Sequence, residues 1–103
     1  MGKLNIQRQK EGDAVVFKLE GRLDTNTSLE LQEALEKEWE TPADIVLDFE
    51  ELAYMSSAGL RVVLSAQKKA TAQATDFRLR KVSEPVMEVL DVVGFLEFIK
   101  VDE

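Results

Sequence analysis

The sequence predicts an α/β domain: a small mixed, mostly parallel sheet that opens with an antiparallel hairpin and carries about three helices. Three observations predict it. Apolar and polar residues alternate on both sides of Gly12. The run Ile45-Val46-Leu47 has no polar alternation. Three further segments space their apolar residues by three and four, the helical period. At 103 residues the chain is expected to form one domain, 1–103, with a single core.

Leu4 and Ile6 alternate with Asn5 and Gln7, as in a strand with one wet face. Lys10-Glu11-Gly12-Asp13 reads as a turn in which Gly12 supplies positive φ. Val15, Phe17 and Leu19 alternate with Val16, Lys18 and Glu20, giving a second, half-buried strand antiparallel to the first. Gly21 to Thr27 reads as a polar loop, and Thr27 with Glu30 has capping-box spacing, so a helix is expected from about Thr27. Leu31, Ala34, Leu35 and Trp39 form its apolar face, and the charged run Glu30 to Glu40 its solvated side. Thr41-Pro42-Ala43 is expected to end it. A strand from Asp44 to Phe49 follows, covered on both faces as parallel strands are.

A second polar loop, Glu50 to Gly59, leads into a helix whose apolar spacing starts with Leu60, Val63 and Leu64 and which reaches about Thr71. Lys68 and Lys69 suit its C-terminal dipole. Phe77 and Leu79 alternate with Arg78 and Arg80, which reads as an edge strand with a solvated outer face. Ser83-Glu84-Pro85 starts a third helix with Val86, Val89, Leu90 and Val93 as its apolar face, and Gly94 stops it. Phe98 to Val101 can form a short last strand. The order β-β-α-β-α-β-α-β implies right-handed parallel crossovers.

Composition excludes several function classes. Thirteen Lys and Arg against twenty Asp and Glu give a net charge of −7. That argues against nucleic-acid binding and against docking on an anionic membrane. No apolar run is long enough for direct membrane insertion, and the first residues lack a signal core, so a cytoplasmic protein is expected. Cysteine and histidine are both absent. The chain therefore has no redox thiol, no zinc–thiolate site and no imidazole base, and neither a metal nor a cofactor is expected.

The chemistry concentrates in Tyr54-Met55-Ser56-Ser57-Ala58-Gly59-Leu60, where a strand hands over to a helix N-terminus. On spacing alone a helix cap accounts for either serine, and Ser57 is the expected cap. If the second and third strands are neighbours, Asp24 comes near Ser56 and Ser57. Acyl transfer fails: there is no G-x-S-x-G elbow and no histidine, and Lys68 and Lys69 lie about three turns down the helix. A phosphate loop is absent. A receiver domain would use Asp48, but the opening hairpin and the missing acidic pair speak against one. What survives is a serine that receives a phosphoryl group from another protein, at a helix end that tolerates phosphate.

Asp48-Phe49-Glu50-Glu51-Leu52-Ala53-Tyr54-Met55-Ser56-Ser57-Ala58-Gly59-Leu60-Arg61 resembles the signature of bacterial anti-sigma factor antagonists, the STAS domain family. Leu19-Glu20-Gly21-Arg22-Leu23-Asp24 is similar to that family's second marker, and Val82 to Val86 with Gly94-Phe95 to its C-terminal helix and glycine. The resemblance implies a STAS-like fold and a non-enzymatic regulator of transcription. Its partner would be an anti-sigma factor serine kinase that phosphorylates Ser57, with a cognate phosphatase to reset it. Unphosphorylated, such proteins hold the anti-sigma factor and release its sigma factor; phosphorylated, they let go. Asp24, Thr25, Asn26, Ser56, Ala58, Gly59 and Arg61 are the implied partner contacts. The best-known members carry Asp-Ser-Ser-Gly where this chain has Ser56-Ser57-Ala58-Gly59, which keeps Ser56 as second choice of acceptor. The alternative within the family is a constitutive scaffold module in a larger transporter or signalling complex.

Overall fold

The computed structural model describes residues 3–40, 43–97 and 99–102. Eight segments of the described residues are regular: β1 (Leu4–Glu11), β2 (Ala14–Leu23), α1 (Ser28–Glu36), β3 (Asp44–Met55), α2 (Ser57–Ala72), β4 (Phe77–Arg80), α3 (Glu84–Val92) and β5 (Lys100–Asp102), with a 3₁₀ turn over Phe95–Glu97 before β5. The five strands form one sheet in the order β1-β2-β3-β4-β5. The β1–β2 hairpin is antiparallel, turning at Gly12 with φ +64°, and every later pairing is parallel. This is the mixed, mostly parallel architecture that the element pattern predicts. The core runs through Phe17, Leu19 and Leu23 of β2, Leu31 and Leu35 of α1, Ile45, Leu47 and Phe49 of β3, and Val63, Leu79 and Leu90.

The strands near the serine junction are longer than their polarity suggests. β3 does not stop at Phe49; it continues to Met55, and β2 runs on through Gly21-Arg22-Leu23. The polar residues Glu50 and Glu51 sit at a bulge: Lys18 pairs with Asp48 but Glu20 pairs with Glu51, so β3 carries one extra residue. A second shift follows between Gly21 and Arg22, where Gly21 takes φ +110°. A Cβ there would collide with the Lys3 carbonyl. The predicted loop Glu50 to Gly59 therefore reduces to Ser56 between strand and helix.

Other expectations need correction. Val16 is buried along with its neighbours Val15 and Phe17, so this part of β2 is covered on both faces rather than one. β4 is not an edge strand, because β5 pairs along it. Its arginines are held by carboxylates: Arg78 by Asp76 and Asp102, Arg80 by Glu11 and the buried Asp48. Trp39 lies beyond the end of α1 in a turn and is half-buried. Thr41 and Pro42, expected to end that helix, lie outside the described residues, as does Phe98; β5 starts at Lys100. In α3 only Val86 and Leu90 are buried, whereas Val89 and Val93 are exposed.

Candidate functional site at the β3–α2 junction

Leu23 and Met55 are register partners at the ends of two neighbouring parallel strands. The loop after β2 and the junction after β3 consequently leave the same edge of the sheet. The Ser56 N–H donates to the Leu23 carbonyl at 2.8 Å and ties them together.

The helix cap is Ser56, not Ser57. Ser56 has extended backbone angles (φ −90°, ψ 175°), and its Oγ accepts from the Gly59 N–H at 3.4 Å. Ser57 is the first residue of α2 and is exposed, and its hydroxyl has no hydrogen-bond partner among the described residues. It stands at the positive end of a 16-residue helix whose first turn carries no acidic side chain. Ala58 is half-buried. Gly59 packs directly on β2: a Cβ at this position would lie 2.7 Å from Leu23 Cγ and 3.1 Å from its carbonyl oxygen. Only glycine lets α2 start this close to the neighbouring strand.

Asp24 caps the other loop. Its Oδ1 accepts from the backbone N–H groups of Asn26 and Thr27, both at 3.0 Å. Thr27 does not form the capping box with Glu30, and no cap hydrogen bond comes from its side chain. Instead the buried Thr27 Oγ1 accepts from the Asp24 N–H at 2.8 Å and points its proton toward the Arg22 carbonyl at 2.7 Å. The Thr27 backbone N–H, joined by the Asn26 N–H, holds the Asp24 carboxyl below the usual carboxylate range, with Arg22 adding in the same direction. Thr25 and Asn26 are exposed at the tip of this turn. The structure thus brings Asp24, Thr25 and Asn26 to the same sheet edge as Ser56 and Ser57. Among the described residues no hydrogen bond joins Asp24 to either serine.

Arg61 is exposed and in no ion pair among the described residues; it shares with Ser57 the lining of an open, largely apolar groove of about 300 Å³. The rest of that lining is Leu60 and Leu64 of α2 with Val93 and Phe95 from the end of α3. Sequence reading missed this groove, because Val93 lies some thirty residues from Leu64 and its exposure depends on how α3 rotates. It also missed a contact beside the junction, where the Arg22 guanidinium stacks 4.2 Å from the centroid of the Tyr54 ring. Among the described residues no cluster of three or more acidic side chains could hold a metal ion. Among the described residues no helix is long and apolar enough to cross a membrane.

Residues 5–103 match the family model described as "STAS domain". A curated relative, the anti-sigma-B factor antagonist of Bacillus subtilis, is 28% identical over 98 residues, covering 95% of this chain and 90% of its own. The crystal structure of an anti-sigma factor antagonist from Mycobacterium paratuberculosis superposes with a TM-score of 0.89 at 15% identity, over 97% of this chain and 86% of its own. The Bacillus cell fate determinant SpoIIAA, solved in its phosphorylated form, gives 0.76 at 23% identity, over 94% and 90%. With its sheet order, its β3–α2 junction and a family match over nearly its whole length, the chain belongs to the STAS domain family.

Proposed function

We propose that this protein is an anti-sigma factor antagonist whose grip on an anti-sigma factor serine kinase is switched by phosphorylation of Ser57. The observation that carries the reading is the division of labour between the two serines. Ser56 takes the capping role, which leaves the Ser57 hydroxyl exposed and uncommitted at a helix N-terminus. Relatives named as anti-sigma factor antagonists support it.

In the transfer, Ser57 Oγ forms a bond to the γ-phosphorus of ATP while the bond from that phosphorus to ADP breaks, and the hydroxyl proton passes to a base. The chain has no histidine, and among the described residues no carboxylate is hydrogen-bonded to the Ser57 hydroxyl, so the base is assigned to the kinase. The product carries about −1.5 to −2 charge at Ser57. On the free protein the amide ends of α2 accommodate it. Under a bound partner it adds charge that must be desolvated, and the complex separates. A phosphatase returns the protein to its binding state.

The test is incubation with the cognate kinase and ATP, followed by mass spectrometry. One phosphate on the peptide containing Ser57, absent from Ser57→Ala, is the expected result. Incorporation that persists in Ser57→Ala sinks the assignment.

A further inference from the structure

Among the described residues nothing closes the groove beside Ser57, and Arg61 is the one charged side chain in its lining. The α2 wall carries Ser57, Leu60, Arg61 and Leu64. The opposite wall, from α3 and the turn after it, supplies Val93 and Phe95. From there the apolar surface continues onto solvent: Val92 is 85% exposed, Val93 56% and Leu96 38%. Contiguous exposed apolar residues of this kind, rimmed by polar ones, mark interaction surfaces. Around these residues the charge is of one sign. Between Ser83 and Glu97 the sequence carries Glu84, Glu88, Asp91 and Glu97 and no Lys or Arg, and all four carboxylates are exposed.

We infer that this groove is the docking site for an amphipathic helical segment of the protein that acts on Ser57. Its apolar side chains fill the space between α2 and α3, and its Lys or Arg residues run along the edge facing α3. Charge selects this occupant. A second copy of the chain would bring two all-acidic α3 segments together on proteins of net charge −7, and an anionic lipid surface would meet the same repulsion. The edge facing α2 meets Arg61 instead, so there the segment is neutral or acidic. That asymmetry accounts for release: a phosphate on Ser57 turns the α2 wall from positive to negative and sets it against the edge it had attracted. The docking surface stands on the groove and its charges; only the identity of the segment's owner rests on the reading of Ser57 above.

Titration of the isotope-labelled full chain with defined 16-residue helical peptides, read by amide chemical shifts, tests this without any kinase. The probe has Leu on one face, Lys along one edge and Glu along the other; its control has Glu on both edges. The probe is expected to shift Leu60, Leu64, Val93 and Phe95, and the control to bind at least tenfold more weakly. Val93→Asp should weaken the probe at least tenfold and Ser57→Asp at least threefold. Leu29→Asp, which removes an exposed apolar side chain on α1, should change affinity less than twofold. Equal binding of the two peptides, equal effects of the Val93 and Leu29 variants, or self-association of the chain that Val93→Asp abolishes would each overturn the proposal. A failure of the kinase to modify Ser57 would leave these readings intact and strike only the switch.

Discussion

The Ser56 N–H and the Leu23 carbonyl, 2.8 Å apart, join the ends of two parallel strands, with the exposed hydroxyls of Thr25 and Ser57 on either side of the bond. Through that bond the turn Asp24–Thr27 and the start of α2 form one ledge. Ser57 stands on it, and Thr25 and Asn26 project beside it.

The two serines should separate cleanly on mutation. Ser56→Ala removes the α2 cap and is expected to lower stability by about 0.5–1 kcal/mol, near the low end for caps because the bond is 3.4 Å long. Phosphate acceptance should survive. Ser57→Ala is expected to leave the unfolding midpoint within about 0.5 kcal/mol of the parent, since it removes no hydrogen bond. Urea unfolding of both variants beside the kinase assay reads both effects.

Ser57→Asp places a negative charge where the phosphate would stand. Affinity for the anti-sigma factor is expected to fall by about 1–3 kcal/mol, roughly 5- to 150-fold, measured by calorimetry. The same variant should be no less stable than the parent, because an acid in the first turn of α2 complements the helix dipole. Unchanged affinity would remove Ser57 from the interface.

Gly59→Ala tests the close approach of α2 to β2. The added methyl meets Leu23, which is fully buried and has no room to yield. A loss of about 1–3 kcal/mol in chemical denaturation is expected from overpacking, with weakened partner binding as the ledge shifts. Gly12→Ala is the contrast: its Cβ meets nothing, and only the positive φ opposes it.

From neutral pH, stability should fall first on the acid side. Glu11 is held below the usual carboxylate range by Arg80, Asp24 by the Thr27 backbone N–H, and Asp76 by Lys100 and Arg78. Burial pushes Asp48 upward, but the Glu50 N–H and Arg80 more than offset it, so it too is lowered. Folded values below unfolded ones mean that the unfolded chain binds more protons as the pH drops. The stabilisation is complete above the ordinary carboxylate range, about pH 4, and is lost as pH falls through the lowered values. With no histidine, the thermal midpoint is expected to be level from about pH 6 to 8 and to drop below about pH 4. Asp48→Asn should cost about 1–3 kcal/mol at neutral pH and make the acid slope shallower.

The fold class was legible because periodicity reports burial, and burial here follows the elements: alternation in β1 and β4, the solid run in β3, the three-four spacing of α2. The strand ends were not, since bulges let Glu50, Glu51 and Gly21 lie inside a ladder that their polarity argues against. The edge position given to β4 failed for a related reason. Arg78 and Arg80 look solvated in sequence, and their carboxylate partners lie up to 69 residues away. At the β3–α2 junction, the meeting of the two polar turns was legible and the choice of capping serine was not. Local spacing allows either serine to cap; geometry gives the cap to Ser56. That also explains the departure from Asp-Ser-Ser-Gly, because Asp and Ser cap helices about equally well.

The sheet has one further consequence. β4 accompanies β3 only from Ile45 to Asp48, so Phe49–Met55 has a ladder on the β2 side alone among the described residues. Backbone amides should record this as a gradient. Exchange with solvent is expected to be slowest at Ile45 to Leu47, held from both sides, and to quicken toward Tyr54 and Met55. The serine-bearing end of β3 can therefore breathe on its own, while the doubly flanked half keeps the chain folded.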